Sequence, residues 1–170
     1  MQKGPHMKLL MAMLMITGVQ LGAHMIMPAL PKIAQSFTIS ASASQQIIVL
    51  YFFAFGFSQL FYGPLSDALG RRKIFIFGQA LFVAGCALAY FATTPNQLMA
   101  ARILQGLGAG APLIISRALL SDAFTGSALS QALASLGIAT SVAAVVGPIL
   151  GGALTTWFGW QSVFGLLVVY

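Results

Sequence analysis

Residues 63–73 read Gly-Pro-Leu-Ser-Asp-Ala-Leu-Gly-Arg-Arg-Lys, a short charged stretch between two long runs without charge. Those uncharged runs cover residues 33–66 and 74–101, and three more cover 9–31, 103–116 and 123–170. A helix needs about 20 apolar residues to cross the hydrocarbon core of a membrane. The charged residues therefore divide the chain into segments, most of which are long enough to span a membrane.

The composition excludes whole classes of protein. Of 170 residues, eight are Lys or Arg and two are Asp, and 59% are hydrophobic. Soluble domains carry about 25% charged residues, whereas this chain carries 6%. A soluble enzyme, a disordered tail and a disulfide scaffold are excluded, the last also because there is one cysteine, Cys86. The net charge of +6 is spread along segment ends, so we expect no nucleic-acid partner.

The apolar segments predict an all-α membrane protein with five complete spans and a sixth that is cut short. The first is longer than the apolar core of a signal peptide, about 7–15 residues, so we interpret it as a retained span. Residues 32–44 are predicted to form a polar loop. The predicted spans cover approximately residues 9–27, 46–65, 74–91, 98–120, 129–155 and 161–170.

The distribution of basic residues predicts a cytoplasmic N-terminus. Cytoplasmic loops of membrane proteins carry an excess of Lys and Arg. With the N-terminus inside, only Lys32 falls on the outside, and Arg102 lies within a span. The inside face then receives six basic residues: Lys3, Lys8, Arg71, Arg72, Lys73 and Arg117.

Residues 63–73 resemble the G-x-L-x-D-R-x-G-R-R/K signature of the major facilitator superfamily. Its matching positions are Gly63, Asp67, Gly70, Arg71 and Arg72. The resemblance implies a cytoplasmic latch that holds two six-helix halves together in the outward-open state. The chain departs from the signature because Ala68 stands where the family has Arg. A simple positive loop is the alternative interpretation.

Local chemistry adds three expectations for this latch. Gly63 would allow two helices to approach closely. Asp67 and Arg71 are four residues apart and can pair if both are helical; Asp67 could instead lie near a helix N-terminus. The resemblance further implies that Asp122 joins this charge cluster, although a solvated loop carboxylate is the alternative.

A second motif lies in the fourth span, where residues 98–110 read LMAARILQGLGAG and are similar to the family's R-x-x-Q-G-x-G pattern. An arginine at the membrane centre costs about 2.5–3.5 kcal/mol on insertion scales. Arg102 should therefore face a wet cavity or a polar partner, and Gln105 lies on the same helix face. The resemblance implies a role for Arg102 in proton coupling. The alternative is that Arg102 only binds backbone carbonyls of the first span.

A third motif lies in the fifth span, where residues 137–152 read GIATSVAAVVGPILGG. It looks like the G-(x)n-G-P-x-x-G-G motif of the drug:proton antiporters, the twelve-span branch of the superfamily. Small residues four apart permit close helix packing, and a proline inside a helix removes a backbone hydrogen bond. Close packing without any antiport role is the alternative. The motif positions are Gly137, Gly147, Pro148, Gly151 and Gly152.

The predicted substrate and proton cavity consists of Gln20, His24, Tyr51, Arg102 and Gln105. Gln20 and His24 are four residues apart and share a face of the first span. The spans contain no Asp or Glu, and His24 is the one side chain within them whose type titrates near neutral pH. We hypothesise that His24 takes part in proton coupling. The alternative is a hydrogen-bonded histidine at a helix end.

Together, the resemblance covers nearly the whole chain and implies the N-terminal six-helix half of a transporter in a bacterial inner membrane. Its function would be proton-driven export of drugs or other amphipathic molecules, without covalent chemistry, cofactor or metal. The partners would be the substrate, protons, the lipid bilayer and a C-terminal half absent from these 170 residues. Two alternatives stay open: transport of a defined metabolite such as a sugar or amino acid, and a truncated remnant that does not transport.

Overall fold

The computed structural model describes residues 4–170 and shows helices joined by short turns. Five stretches are long and apolar enough to cross a membrane, and the first of them combines α1 and α2. The prediction of an all-helical membrane bundle with five long spans and a short sixth is confirmed. Lys3, which the orientation count used, lies outside the described residues. The helices are α1 (Pro5–His24), α2 (Leu30–Phe37), α3 (Ala41–Leu69), α4 (Arg71–Tyr90), α5 (Pro95–Ser121), α6 (Gly126–Phe158) and α7 (Gln161–Val169).

The predicted polar loop over residues 32–44 is wrong, because most of it is helical. Pro31 stands in the first turn of α2, where a missing N–H and a fixed φ favour helix initiation. The helix then buries Ile33 completely. It ends at Thr38, whose φ of 53° is left-handed, and the Ser40 hydroxyl caps α3 by accepting a backbone N–H at 3.2 Å.

Helix α5 is the central element, packed against α1, α3 and α4. Glycines on its two sides allow close contact, because in lipid, helices associate through tight packing of small residues. A Cβ at Gly106 would overlap the backbone of Tyr51 in α3, and one at Gly108 would overlap the backbone of Phe82 in α4. Helix α6 packs on α1, and α7 packs on α4. The side chains of the middle of α5 are consequently enclosed.

Large apolar side chains cover the outside of the bundle. Phe53 and Leu60 of α3 are 73% and 70% exposed, and Ile149 of α6 is 67% exposed. A surface of this kind suits contact with lipid tails or with another membrane-embedded helix. The polar groups that the sequence places inside the spans are held mostly between helices, which is where a functional site must be sought.

Candidate functional site

A polar hub surrounds Arg102, which is completely buried at the centre of the bundle. Its Nη1 donates hydrogen bonds to the Gly22 carbonyl of α1 at 3.0 Å and to Gln105 Oε1 at 2.9 Å. Its Nε donates to the Ile47 carbonyl of α3 at 3.4 Å. The guanidinium carbon lies 4.1 Å from the centre of the Tyr51 ring, a distance typical of cation–π contact. Arg102 therefore joins α1, α3 and α5.

The hub extends to a fourth helix through Gln105. Its Nε2 donates to Cys86 Sγ of α4 at 2.9 Å. Tyr51 adds a further link by donating from its hydroxyl to the Val19 carbonyl of α1 at 3.1 Å. Within residues 4–170, Nη2 of Arg102 has no hydrogen-bond partner. A lone cysteine carries no motif in the sequence, so this hydrogen bond of Cys86 is visible only in three dimensions.

The hub encloses three residues of the predicted cavity, whose role in binding substrate and proton stays a prediction. Tyr51, Arg102 and Gln105 are all 0% exposed, and none of them lines the cleft between α1, α5 and α6 or the cleft between α1, α4 and α7. The physical reason is the glycine-mediated contact of α5 with α3 and α4, which closes around these side chains. Arg102 does bind the Gly22 carbonyl of the first span, but it also binds the Ile47 carbonyl and Gln105, so the alternative of contacts with the first span only is wrong.

The larger cleft, of about 710 Å³, lies between α1, α5 and α6. Gln20, one of the predicted cavity residues, lines it, and Gly137 forms part of its wall. Arg117 also lines it, although the sequence interpretation assigned that residue only to the charge balance of the loops. The signal that could have revealed it is the polar pair Ser116-Arg117 in an otherwise apolar part of α5. A smaller cleft of about 220 Å³ lies between α1, α4 and α7 and includes Gln79.

His24 lies in the contact between α1 and α6, outside the larger cleft. It is the last residue of α1, and its Nδ1 is 2.9 Å from the Gln20 carbonyl oxygen. A Cβ placed on Gly147 of α6 would lie 3.1 Å from the His24 Cβ. This geometry matches the alternative of a hydrogen-bonded histidine at a helix end. His24 thus lies beside the α1–α6 contact while Gln20 faces the cleft, and the part of His24 in proton coupling stays a prediction.

The antiporter-like motif forms the tightest part of the contact between α1 and α6. Gly151 is buried, and a Cβ there would overlap the backbone carbonyl of Met25. Gly152 is less constrained, since its nearest contact would be a side-chain carbon of Pro28 at 3.8 Å. Pro148 lies inside α6, which continues without interruption on both sides. Gly137 borders open space, because a Cβ there would meet no atom within 4 Å.

The charged turn between α3 and α4 joins the end of α5 instead of pairing internally. Arg71 forms an ion pair with Asp122 and donates to the Ala118 carbonyl at 3.0 Å. A pair between Asp67 and Arg71 required one continuous helix, and Gly70, with a φ of 91°, interrupts the helix between them. Asp67 thus lies in the last turn of α3, not at a helix N-terminus.

Two further latch residues are accounted for. Gly63 was expected to permit close helix contact; within residues 4–170 a Cβ there would meet no atom within 4 Å, and the expectation stays a prediction. Arg72 is exposed beside the turn. The latch positions therefore divide into a paired part, Arg71 with Asp122, and an exposed part that includes Asp67.

Comparison with known proteins supplies a family. The family model described as Major Facilitator Superfamily matches residues 10–170. Multidrug resistance protein D of Escherichia coli is 30% identical over 95% of this chain and 41% of its own length. The uncharacterized MFS-type transporter YdgK of Bacillus subtilis is 41% identical over 94% of this chain and 40% of its own length. The riboflavin transporter RibZ of Clostridioides difficile is 28% identical over 79% of this chain and 29% of its own length. The chain thus spans between 29% and 41% of the length of these relatives.

Proposed function

Because this chain belongs to the major facilitator superfamily, we propose that it forms the N-terminal half of an exporter of drugs or other amphipathic small molecules. The observation that carries this proposal is the cleft between α1, α5 and α6. Its volume of about 710 Å³ falls within the range of about 300–1,000 Å³ that ligand pockets occupy. Its walls combine apolar side chains with a few polar groups, which suits an amphipathic ligand. The relative named multidrug resistance protein D supports the same substrate class.

We place the protein in the inner membrane of a bacterium with its N-terminus in the cytoplasm. The basic residues support this orientation, since Arg71, Arg72 and Lys73 all lie at the α3–α4 turn. Arg117 and Asp122 at the end of α5 lie on the same side of the bundle, as the ion pair with Arg71 requires. The larger cleft, which Arg117 lines, would then extend toward the cytoplasm.

The mechanism we propose is alternating access, in which two halves rock around a central site. The Arg102 hub holds α1, α3, α4 and α5 together through hydrogen bonds, which suits a unit that moves as one body. The exposed Asp67 is available to a second half, as the resemblance implies for the latch. Proton and substrate would favour opposite orientations, so the proton gradient supplies the energy and no cofactor or covalent step is needed.

Within this half, we propose His24 as a proton-binding group. Its Nδ1 faces the Gln20 carbonyl at 2.9 Å, so Nδ1 carries the hydrogen that the carbonyl accepts. In the neutral imidazole the other nitrogen, Nε2, is then the one left to take up a proton. His24 also contacts Gly147 of α6, so a change of charge there would act on the contact between α1 and α6.

Transport in membrane vesicles tests the proposal. The complete gene product would be expressed in bacteria, and inverted vesicles would be energised to form a pH gradient that a fluorescent dye reports. Addition of an exported amphipathic compound should dissipate the gradient, whereas vesicles without the protein should show no change. A panel of chemically diverse amphipathic compounds that leaves both the gradient and the drug susceptibility of cells unchanged would refute the proposal.

A second candidate function is transport of one defined metabolite by the same fold. It is favoured by the relative named as a riboflavin transporter. It is also favoured by the lack of a carboxylate within the predicted spans, since both acidic residues, Asp67 and Asp122, lie outside them. The two functions differ in selectivity. Competition by many unrelated compounds for one transport activity would favour drug export, and competition by one chemical family alone would favour the metabolite.

A further inference from the structure

We infer that the cleft between α1, α5 and α6 binds amphipathic organic anions, recognised by the guanidinium of Arg117 and the amide of Gln20. This inference rests on the proposed function, because it names the charge of the molecules that the transporter takes. Among the described residues that line the cleft, Arg117 alone carries a charge. Arg117 is exposed at the end of the cleft nearest the α5 C-terminus, and a guanidinium stays charged at every physiological pH.

Within residues 4–170, Arg117 has no anionic partner. The chain contains two acidic residues, Asp67 and Asp122, and neither lines the cleft. Asp122 is already paired with Arg71, and Asp67 lies at the end of α3. In the described part of the chain, the cleft therefore has an uncompensated positive charge.

The hydrogen-bonding groups of the cleft also favour an anionic ligand. The hydroxyls of Ser116, Thr140 and Ser141 donate to carbonyls of their own helices at 2.9, 2.8 and 3.0 Å. Their hydrogens are thus engaged. In the part of the chain that the structure describes, the side chains of Gln20 and Arg117 make no hydrogen bond to the protein. Both offer N–H donors, and the planar fork of arginine matches the two oxygens of a carboxylate.

The remaining walls select an apolar body for the ligand. Ile16 and Val19 of α1, Phe55 of α3 and Leu136 of α6 all line the cleft. Burial of apolar ligand surface against them contributes affinity regardless of ligand charge. A cation of the same shape would face the positive charge of Arg117 and find no carboxylate in the described part of the cleft. The difference in affinity between an anion and a cation should therefore come from Arg117.

Binding of three ligands with one apolar body tests the inference. The complete gene product in lipid nanodiscs would be titrated with radiolabelled naphthoate, naphthylmethanol and naphthylmethylammonium, with empty nanodiscs subtracted as background. Naphthoate should bind about tenfold more tightly than the alcohol, as one charge-assisted hydrogen bond provides, and the cation most weakly. Equal affinities, or tightest binding of the cation, would overturn the inference and leave the proposed function intact. Failure of all three to bind would contradict both.

Substitution of Arg117 distinguishes the effect of this residue on ligand binding from the effect of the protein's net positive charge. Arg117→Gln should weaken naphthoate binding about tenfold and change naphthylmethanol binding less than twofold, and the retained alcohol binding shows that the variant is folded. Arg117→Lys should keep part of the preference because the charge remains. Lys73→Gln removes an equal charge from an exposed position outside the cleft and should leave all three affinities unchanged. If Lys73→Gln abolishes the preference for naphthoate to the same extent as Arg117→Gln, the inference is wrong.

Discussion

Adding one methyl group at Gly151 should destabilise the bundle, whereas the same addition at Gly137 should not. The Cβ at Gly151 would overlap the carbonyl of Met25, the residue that follows α1, and a backbone atom cannot rotate away. Forcing an extra carbon into packed structure costs about 1–3 kcal/mol. Replacing glycine with alanine inside a helix returns up to about 1 kcal/mol. We therefore expect Gly151→Ala to lower the free energy of unfolding by up to about 2 kcal/mol.

Gly137 provides the matched control on the same helix. A Cβ there would meet no atom within 4 Å, so only the gain in helix propensity remains, and Gly137→Ala should be neutral or stabilising by up to about 1 kcal/mol. Gly152→Ala should fall close to Gly137→Ala, because its nearest contact of 3.8 Å is ordinary van der Waals distance.

Thermal unfolding of the complete gene product in nanodiscs measures this ordering. Tryptophan fluorescence is a suitable signal, since Trp157 and Trp160 lie at the end of α6 and just beyond it. At about 2–4 °C per kcal/mol for a domain of this size, Gly151→Ala and Gly137→Ala should differ by several degrees. Equal melting temperatures for the two variants would refute the tight contact between α1 and α6 and its assignment to the antiporter-like motif.

Three further predictions address the other groups. Arg71→Gln and Asp122→Asn should each reduce stability slightly. The double variant should be less destabilised than the sum of the two single variants, with a coupling energy of about 0.2–1 kcal/mol because the ion pair is partly exposed. Strictly additive changes in melting temperature would contradict the ion pair. Gln105→Leu removes a hydrogen bond to the buried charge of Arg102 and should lower the free energy of unfolding by about 1.5–3 kcal/mol, measured by the same fluorescence assay; an unchanged melting temperature would show that the bond is dispensable. His24→Gln should alter the dependence of export on external pH in inverted vesicles, and an unchanged pH profile would exclude His24 from proton coupling.

The helical architecture of this protein could be predicted from the sequence because it depends on local composition. Uncharged runs of membrane-spanning length are recognisable without knowledge of tertiary contacts. Among the described α-helices, α2 was missed, since Lys32 and the serines from Ser36 onward resemble a loop while Pro31 and Ile33 favour a helix. Polar composition alone does not distinguish a short surface helix from a turn.

The site was predicted less completely because its geometry depends on contacts between distant parts of the chain. Gln20 and Arg102 are both polar residues in apolar spans, yet Gln20 faces the cleft and Arg102 is enclosed. The depth of a side chain depends on which helices close over it. Arg117 was assigned to loop charge for the same reason, since its position in the cleft is set by α6.

By itself, the sequence determined a membrane protein of apolar helices, the family signature at the α3–α4 turn, and a basic residue within the fourth span. Each follows from the type and spacing of neighbouring residues. The tertiary structure decided that Arg71 pairs with Asp122 and not with Asp67, because the positive φ of Gly70 interrupts the helix. It also decided that Arg102 is enclosed while Arg117 faces a cleft in which no described residue is acidic. The physical reason is that Gly106 and Gly108 bring α3 and α4 close to the middle of α5, and Arg117 lies beyond that part of the helix.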